Sequence, residues 1–272
     1  MASKVLIAGC GDLGSELAKR LSIDGYEVYG LRYSNKPLPD NIQLIQADVT
    51  ELSSLGKLAE MRPQFLVYCV AANAQTDESY KAHYLDGLRH VLSVLDKTKL
   101  QHVFFVSSTR VYGQAGDEIL DEFTPAIAAD FGGERLLQAE ALLHGINGTV
   151  LRLSGIYGPG RTRMLQLATS PQAWPAQNTW TNRIHRDDAA AFIAYLIGEY
   201  KEPLAPCYIV TDSSPVSQHE VLGWIAKQKG IQFVATEQPV AGGKRLSNQL
   251  MLGTGFKLRY PDYQAGYATL MA

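Results

Sequence analysis

The chain lacks most features that would announce a role at once. Only Cys10, Cys69 and Cys207 are cysteines among 272 residues, and an odd, widely spaced set argues against a disulfide framework. Cys10 lies in a glycine loop and Cys69 in an apolar run, so both read as small buried thiols. Neither sign of charge dominates. With 25 Lys+Arg against 27 Asp+Glu the net charge is −2, which gives no basic field for nucleic acid. No apolar run approaches the roughly 20 residues that span a bilayer, and the N-terminus enters KVLIAG without a leader. Nowhere do His, Cys, Asp and Glu cluster at metal-ligand spacing. The expectation is a cytoplasmic protein with no metal, membrane or nucleic-acid partner.

What is present is alternation. Short runs rich in β-branched and aromatic residues recur at 4–9 (KVLIAG), 27–31 (EVYGL), 42–46 (IQLIQ), 65–70 (FLVYCV), 102–108 (HVFFVSS) and 149–153 (TVLRL). Several lack a strict in–out pattern, which is how strands buried on both faces of a parallel sheet read. Helical patterns at Leu13–Ser22, Ser53–Met61, Tyr80–Leu95 and Gly133–His144 lie between them. Such alternation predicts right-handed βαβ crossovers and a doubly wound sheet. Beyond about residue 155 the pattern loosens into Gly, Pro, Trp and Asn, followed by a helical run at Asp188–Gly198 and a returning strand CYIV at 207–210.

The first strand runs into Gly9-x-Gly11-x-x-Gly14, which opens an amphipathic helix. Alone this spacing is a weak signal; between a strand and a helix it is the dinucleotide fingerprint. Gly9 permits the turn, Gly11 leaves room for a pyrophosphate, and Gly14 lets helix and strand approach. Cys10, Asp12 and Leu13 complete the loop, and the helix N-terminus offers free N–H groups to phosphate. NAD sites usually place an acid near the end of the second strand. Here Glu27 comes too early, and Arg32 and Ser34 occupy the end. An arginine fork suits a 2′-phosphate, so NADP(H) is favoured over NAD(H). The chain is therefore read as an α/β protein: a doubly wound parallel sheet (Rossmann) over 1–155, with returning segments near 185–212, and a smaller, interleaved substrate region over 156–272.

Further segments fall into a known order: ADVT (47–50), VYCVAANA (67–74), VSSTRVYG (106–113), RLSGIYGPGR (152–161) and NRIHRDDAAAFI (182–193). Together they resemble the extended short-chain dehydrogenase/reductase family, the NAD-dependent epimerase/dehydratase group, across nearly the whole chain. The closer likeness is to atypical members with the G-x-G-x-x-G spacing and no active-site tyrosine; residues 242–270 look like the C-terminal substrate region of that branch. The resemblance implies that Asp48 and Val49 border the adenine and that Ala71 and Ala72 line the ribose and nicotinamide. It implies that Ser108 is the serine bonded to the reacting oxygen. Substrate would meet Thr109, Arg110, Tyr157, Arg161, Asn182, Arg183 and His185, and family substrates are often nucleotide sugars. It further implies a homodimer through helices at 80–95 and 133–144. On position alone, Ser108 can equally cap backbone at the strand end.

Members of the family use a Tyr-x-x-x-Lys pair. In DFGGERLLQAE (130–140) the matching places hold Phe131 and Arg135. No tyrosine occurs between Tyr112 and Tyr157 and no lysine between Lys99 and Lys201, so no shift of register restores the pair. Phe131 cannot exchange a proton, and Arg135 stays charged, so it can donate to a ribose hydroxyl but cannot act as a base. Other proton carriers are Tyr112, His185, Asp130, Glu134 or water. Tyr112 reads equally as a packing aromatic, Tyr157 as a turn residue and His185 as a structural one. Two readings result: an atypical oxidoreductase or epimerase/dehydratase-like enzyme acting on a small polar or nucleotide-sugar-type substrate, or a non-catalytic NADP-binding or sensing protein.

Overall fold

Strands form where the apolar runs predict them. They are β1 (Lys4–Ala8), β2 (Glu27–Arg32), β3 (Ile42–Gln46), β4 (Phe65–Tyr68), β5 (His102–Ser108), β6 (Gly148–Leu153) and β7 (Cys207–Val210). The computed structural model describes residues 2–200, 203–233 and 238–271. The seven strands make one sheet in the order β7-β6-β5-β4-β1-β2-β3. The pairs β1–β2, β2–β3, β1–β4 and β4–β5 are parallel. Val5, Leu6, Ile7 and Ala8 of β1 and Leu66, Val67 and Tyr68 of β4 are fully buried, as central strands covered on both faces must be. Strand order reverses between β1 and β4, and in open α/β sheets that point opens a crevice at the carboxyl ends of the strands.

The helices depart from expectation in instructive ways. Helix α1 (Asp12–Ile23) buries Leu13, Gly14, Leu17, Ala18 and Leu21, a stripe at helical spacing. The run at 53–61 folds as a 3₁₀ helix, Leu52–Glu60, with Leu55 and Leu58 buried; an i, i+3 pair fits three residues per turn. The run at 80–95 is not one α-helix but α2 (Asp77–Tyr80), a π-helical stretch Lys81–Asp86, and α3 (Gly87–Val94). The cause is a side chain: the buried Tyr68 hydroxyl donates to the His83 carbonyl, and a donor inserted there widens the helical ladder. Helix α4 (Phe131–Glu140) starts at its Asp130 cap, whose carboxylate accepts from the Gly133 N–H at 2.9 Å.

The chain divides into two compact units. The first comprises Met1–Gly113, Ala126–Arg152 and Ala190–Tyr208; the second Gln114–Pro125, Leu153–Ala189 and Ile209–Ala272. The second has its own core, in which Tyr157, Leu165, Ala168, Val221, Leu222, Ile225, Tyr263 and Tyr267 are buried.

Within the first unit one buried charge joins three elements. Glu140, at the end of α4, accepts from the Ser107 hydroxyl of β5 at 2.6 Å and from Arg152 of β6 at 3.1 and 2.7 Å. The remaining Arg152 arm donates to the Tyr112 hydroxyl at 2.7 Å, and its guanidinium lies 5.0 Å from that ring's centre. Burial opposes the Arg152 charge, but Glu140 outweighs it and holds the guanidinium's pKa above its usual value. Removing one member strands the other charge, so Glu140→Ala should cost about 3–5 kcal/mol in urea unfolding. The apolar pair Glu140→Leu with Arg152→Met should cost much less; equal losses would contradict this account.

Candidate functional site

Strand β1 leads directly into Gly9, whose φ is +95°. A Cβ there would lie 2.5 Å from the Val70 nitrogen and 2.6 Å from the Cys69 carbonyl carbon, backbone atoms that cannot yield. The N–H groups of Gly9 and Cys10 both donate to the Leu31 carbonyl, at 3.0 and 2.8 Å, which fixes the loop against the end of β2. A Cβ on Gly14 would lie 2.6 Å from the Gly9 oxygen. Gly11 differs: the nearest atom to its Cβ position is 4.0 Å away. Two glycines are thus demanded by packing, while the third faces open space before an α1 N-terminus that carries no side-chain cap. Leu13 is buried beneath the loop and Asp12 is exposed.

Arg32 ends β2 close enough for its charge to act on the Cys10 thiol, which burial nonetheless pushes above its usual pKa. Among the described residues no carboxylate pairs with Arg32, and Ser34 is half-buried two residues on. Glu27, at the other end of the strand, is engaged by Tyr29 and lies 4.0 Å from Lys4. Asp48 accepts from the Thr50 N–H and hydroxyl at 2.9 and 2.7 Å, and Val49 is buried. Past the end of β4, Ala71 is exposed and Ala72 half-buried.

Ser108 closes β5 and accepts from the Arg110 N–H at 3.2 Å. Among the described residues nothing takes its own hydroxyl proton. Thr109 beside it is buried. The Arg110 guanidinium binds both Asp130 oxygens at 3.0 Å, Gln75 at 3.0 Å and the Tyr80 hydroxyl at 2.7 Å. It also lies over the rings of Tyr80 and Phe131, 5.0 and 5.3 Å from their centres. A Cβ on Gly132 would meet Arg110 side-chain atoms at 2.5–2.8 Å, so this glycine makes room for the cation, while one on Gly133 would meet the Arg110 carbonyl oxygen and the Ala128 Cβ at 2.9 Å. Burial opposes ionisation of Asp130, but the Gly133 N–H and Arg110 outweigh it and keep its pKa below the usual value.

Phe131 meets Tyr80 edge-on, with ring centres 5.5 Å apart. Arg135 forks onto Asp77 at 2.7 and 2.8 Å and reaches Gln138 at 2.9 Å. Tyr112 is fully buried beneath Arg152, a packed aromatic of the Glu140 cluster.

In the second unit, Tyr157, Arg183 and His185 are buried and Arg161 is exposed. The Asn182 side chain donates to the Lys244 carbonyl at 2.7 Å and accepts from the Leu246 N–H at 2.9 Å, joining loops of that unit. Asp188 accepts from the backbone of Arg259 and Tyr260 at 3.0 and 2.8 Å. The His185 Nδ1 accepts from the Asp187 N–H at 3.2 Å, its ring lies 4.0 Å from that of Tyr260, and burial depresses its pKa. Among the described residues, three buried atoms here have no hydrogen-bond partner: Arg183 Nη1, His185 Nε2 and Asp212 Oδ2. Asp77, Tyr80, Tyr84 and Asp212 carry much of both clusters, and the sequence reading missed them. The spacing of Tyr80 and Tyr84 in DESYKAHY was the available sign.

A family model described as the NAD dependent epimerase/dehydratase family matches residues 5–206. The chain belongs to that family. A structure from Methylobacillus flagellatus, described as a candidate NAD-dependent epimerase/dehydratase, is 53% identical, with 100% of this chain and 98% of that one covered and a TM-score of 0.93. Protein YeeZ of Escherichia coli (strain K12) is 26% identical over 282 residues, covering 95% of this chain and 97% of that protein. The UDP-glucose 4-epimerase of Thermus thermophilus, solved with NAD, shares the fold at 19% identity and a TM-score of 0.76, with 97% and 96% covered. Among the described residues no helix is long and apolar enough to cross a membrane, and no group of three or more His, Cys, Asp or Glu is placed to hold a metal.

For this family member the second unit carries a pH signature. Burial pushes the Asp212 carboxyl up to about 7 against the pull of Arg183 and the Ser214 N–H. An unfolded Asp titrates near about 3.9, so between those values the folded protein holds the extra proton. Stability from this group is full below about pH 4 and is lost as pH rises through about 7, at up to ~1.4 kcal/mol per pH unit. Asp212→Asn should gain on the wild type across that window in urea unfolding; a pH-independent difference would contradict it.

Proposed function

We propose that this protein is a nicotinamide-dinucleotide-dependent enzyme of the epimerase/dehydratase type, that it prefers NADP(H) to NAD(H), and that its substrate is a small polar or nucleotide-sugar-type molecule. The observation that carries the reading is the open cradle at Gly11, set before an uncapped helix N-terminus with Arg32 at its side. The pyrophosphate would lie along Gly9–Gly14 on the N–H groups of α1, with Arg32 and Ser34 at a 2′-phosphate, Asp48 and Val49 at the adenine, and Ala71 and Ala72 toward the nicotinamide. When bound, the dinucleotide supplies or accepts hydride. The Ser108 hydroxyl, its proton uncommitted, would donate to the substrate oxygen. Family membership and the UDP-glucose epimerase of the same fold support the substrate class.

A second reading, dinucleotide binding without turnover, is favoured by the engagement of Arg135 with Asp77 beside a phenylalanine. Fluorescence titration with NADPH and NADH, followed by a panel of UDP-sugars and simple carbonyls, separates the two. Arg32→Ala should weaken NADP(H) binding by about tenfold or more, the worth of a charge-assisted fork, and leave NAD(H) nearly unchanged. Equal losses for both would refute the NADP preference. Tight binding with no turnover across the panel would favour the second reading.

A further inference from the structure

We infer that Tyr84 is the proton donor of this site, standing in from another helix for the phenol that Phe131 lacks; the inference rests on the dinucleotide-dependent reading above. Tyr84 lies within the π-helical stretch Lys81–Asp86. A π turn adds a residue to each loop of the helix and rotates the residues beyond it, and such turns gather at functional sites. Here the backbone N–H of Ala72, just past the carboxyl end of β4, the strand beside β1 at the sheet's crevice, acts to favour the ionised form of the Tyr84 phenol.

Its surroundings supply the other parts. The Tyr84 ring lies 5.1 Å from that of Tyr80, whose hydroxyl takes the Arg110 guanidinium at 2.7 Å. The backbone N–H of the same Arg110 bonds to Ser108. Tyr84, Tyr80 and the Arg110 guanidinium are thus linked side chain to side chain, and Ser108, with its free proton, sits two residues before Arg110 on the second of the two segments that meet here. The rival phenols are spent. Tyr80 and Tyr112 are buried; Tyr80 gives its proton to Gln75 at 3.1 Å, and Tyr112 holds Arg152. Tyr84 is half-buried and can reach solvent or substrate.

Burial and the neighbouring Tyr80 hold the Tyr84 phenol above its usual pKa, against the Ala72 N–H and Arg110. The phenol is therefore protonated at neutral pH, the form a proton donor needs. In the reducing direction the substrate carbonyl carbon takes a hydride from the reduced dinucleotide while its oxygen takes the Tyr84 proton. The C=O π bond is replaced by one C–H and one O–H bond, and the dinucleotide leaves oxidised. The phenolate, met by the Ala72 N–H and the field of Arg110, recovers a proton from water.

The test is Tyr84→Phe, checked for folding by its melting temperature. The alkaline titration of phenolate absorbance, wild type minus variant, isolates this phenol without any substrate. Its midpoint should lie above that of free tyrosine, rise further in Arg110→Gln, and move when NADPH is added. With a carbonyl substrate, kcat should fall about 100-fold or more while KM and NADPH affinity change by less than about threefold. Retained kcat in Tyr84→Phe, or a Tyr84 titration indifferent to bound NADPH, overturns the inference. Absence of dinucleotide binding would instead sink the proposed function, so the two failures are distinguishable.

Discussion

The carboxylate of Glu140 holds the first unit's working parts in register. A buried anion has to be matched by donors, and the donors that match this one come from Ser107 of β5 and Arg152 of β6, whose remaining arm is accepted by the Tyr112 hydroxyl beyond Ser108. Because Glu140 ends α4, satisfying it also sets where α4 begins. That beginning carries the Asp130 cap and Phe131, which together hold Arg110. Glu140 thus ties the segment that carries Ser108 and Arg110 to the helix whose first residues hold Arg110.

Cations are plentiful around this centre, and most are neutralised. Arg110 is claimed by Asp130, Arg135 by Asp77 and Arg152 by Glu140. Arg32 has no carboxylate among the described residues and stands at the end of β2, where a phosphate would lie. Exposure does not draw this contrast, since all four arginines are half-buried. It also means that the region around Ser108 offers directed hydrogen bonds and ring faces rather than net positive charge.

Much of the framework was legible in the sequence because it is periodic. All seven sheet strands lie where apolar runs predict them, and the glycine spacing, with its strand and helix context, located the loop. What stayed hidden depends on contacts between distant residues. The π stretch exists because Tyr68, on β4, takes a carbonyl from the helix, and no helical periodicity records that. Gly132 and Gly133 read as weakness in a helix until Arg110 is seen lying where their Cβ atoms would be. Ser107 and Arg152 carry no local sign of Glu140, which is 33 residues from one and 12 from the other. Arg135 reads in the sequence as a fixed charge one turn after Phe131; its partner, Asp77, lies 58 residues earlier.

The glycine pair has a consequence for any attempt at reversion. Placing a tyrosine and a lysine at 131 and 135 would put both into a neighbourhood already built around their absence. The lysine would inherit Asp77 as a tether, and the new phenol would meet an arginine that lies across the helix because glycine left it the room. Residues 77, 110, 131, 132 and 135 thus form one packed group, and a change at 131 or 135 alone leaves the other members arranged for the side chains they now hold.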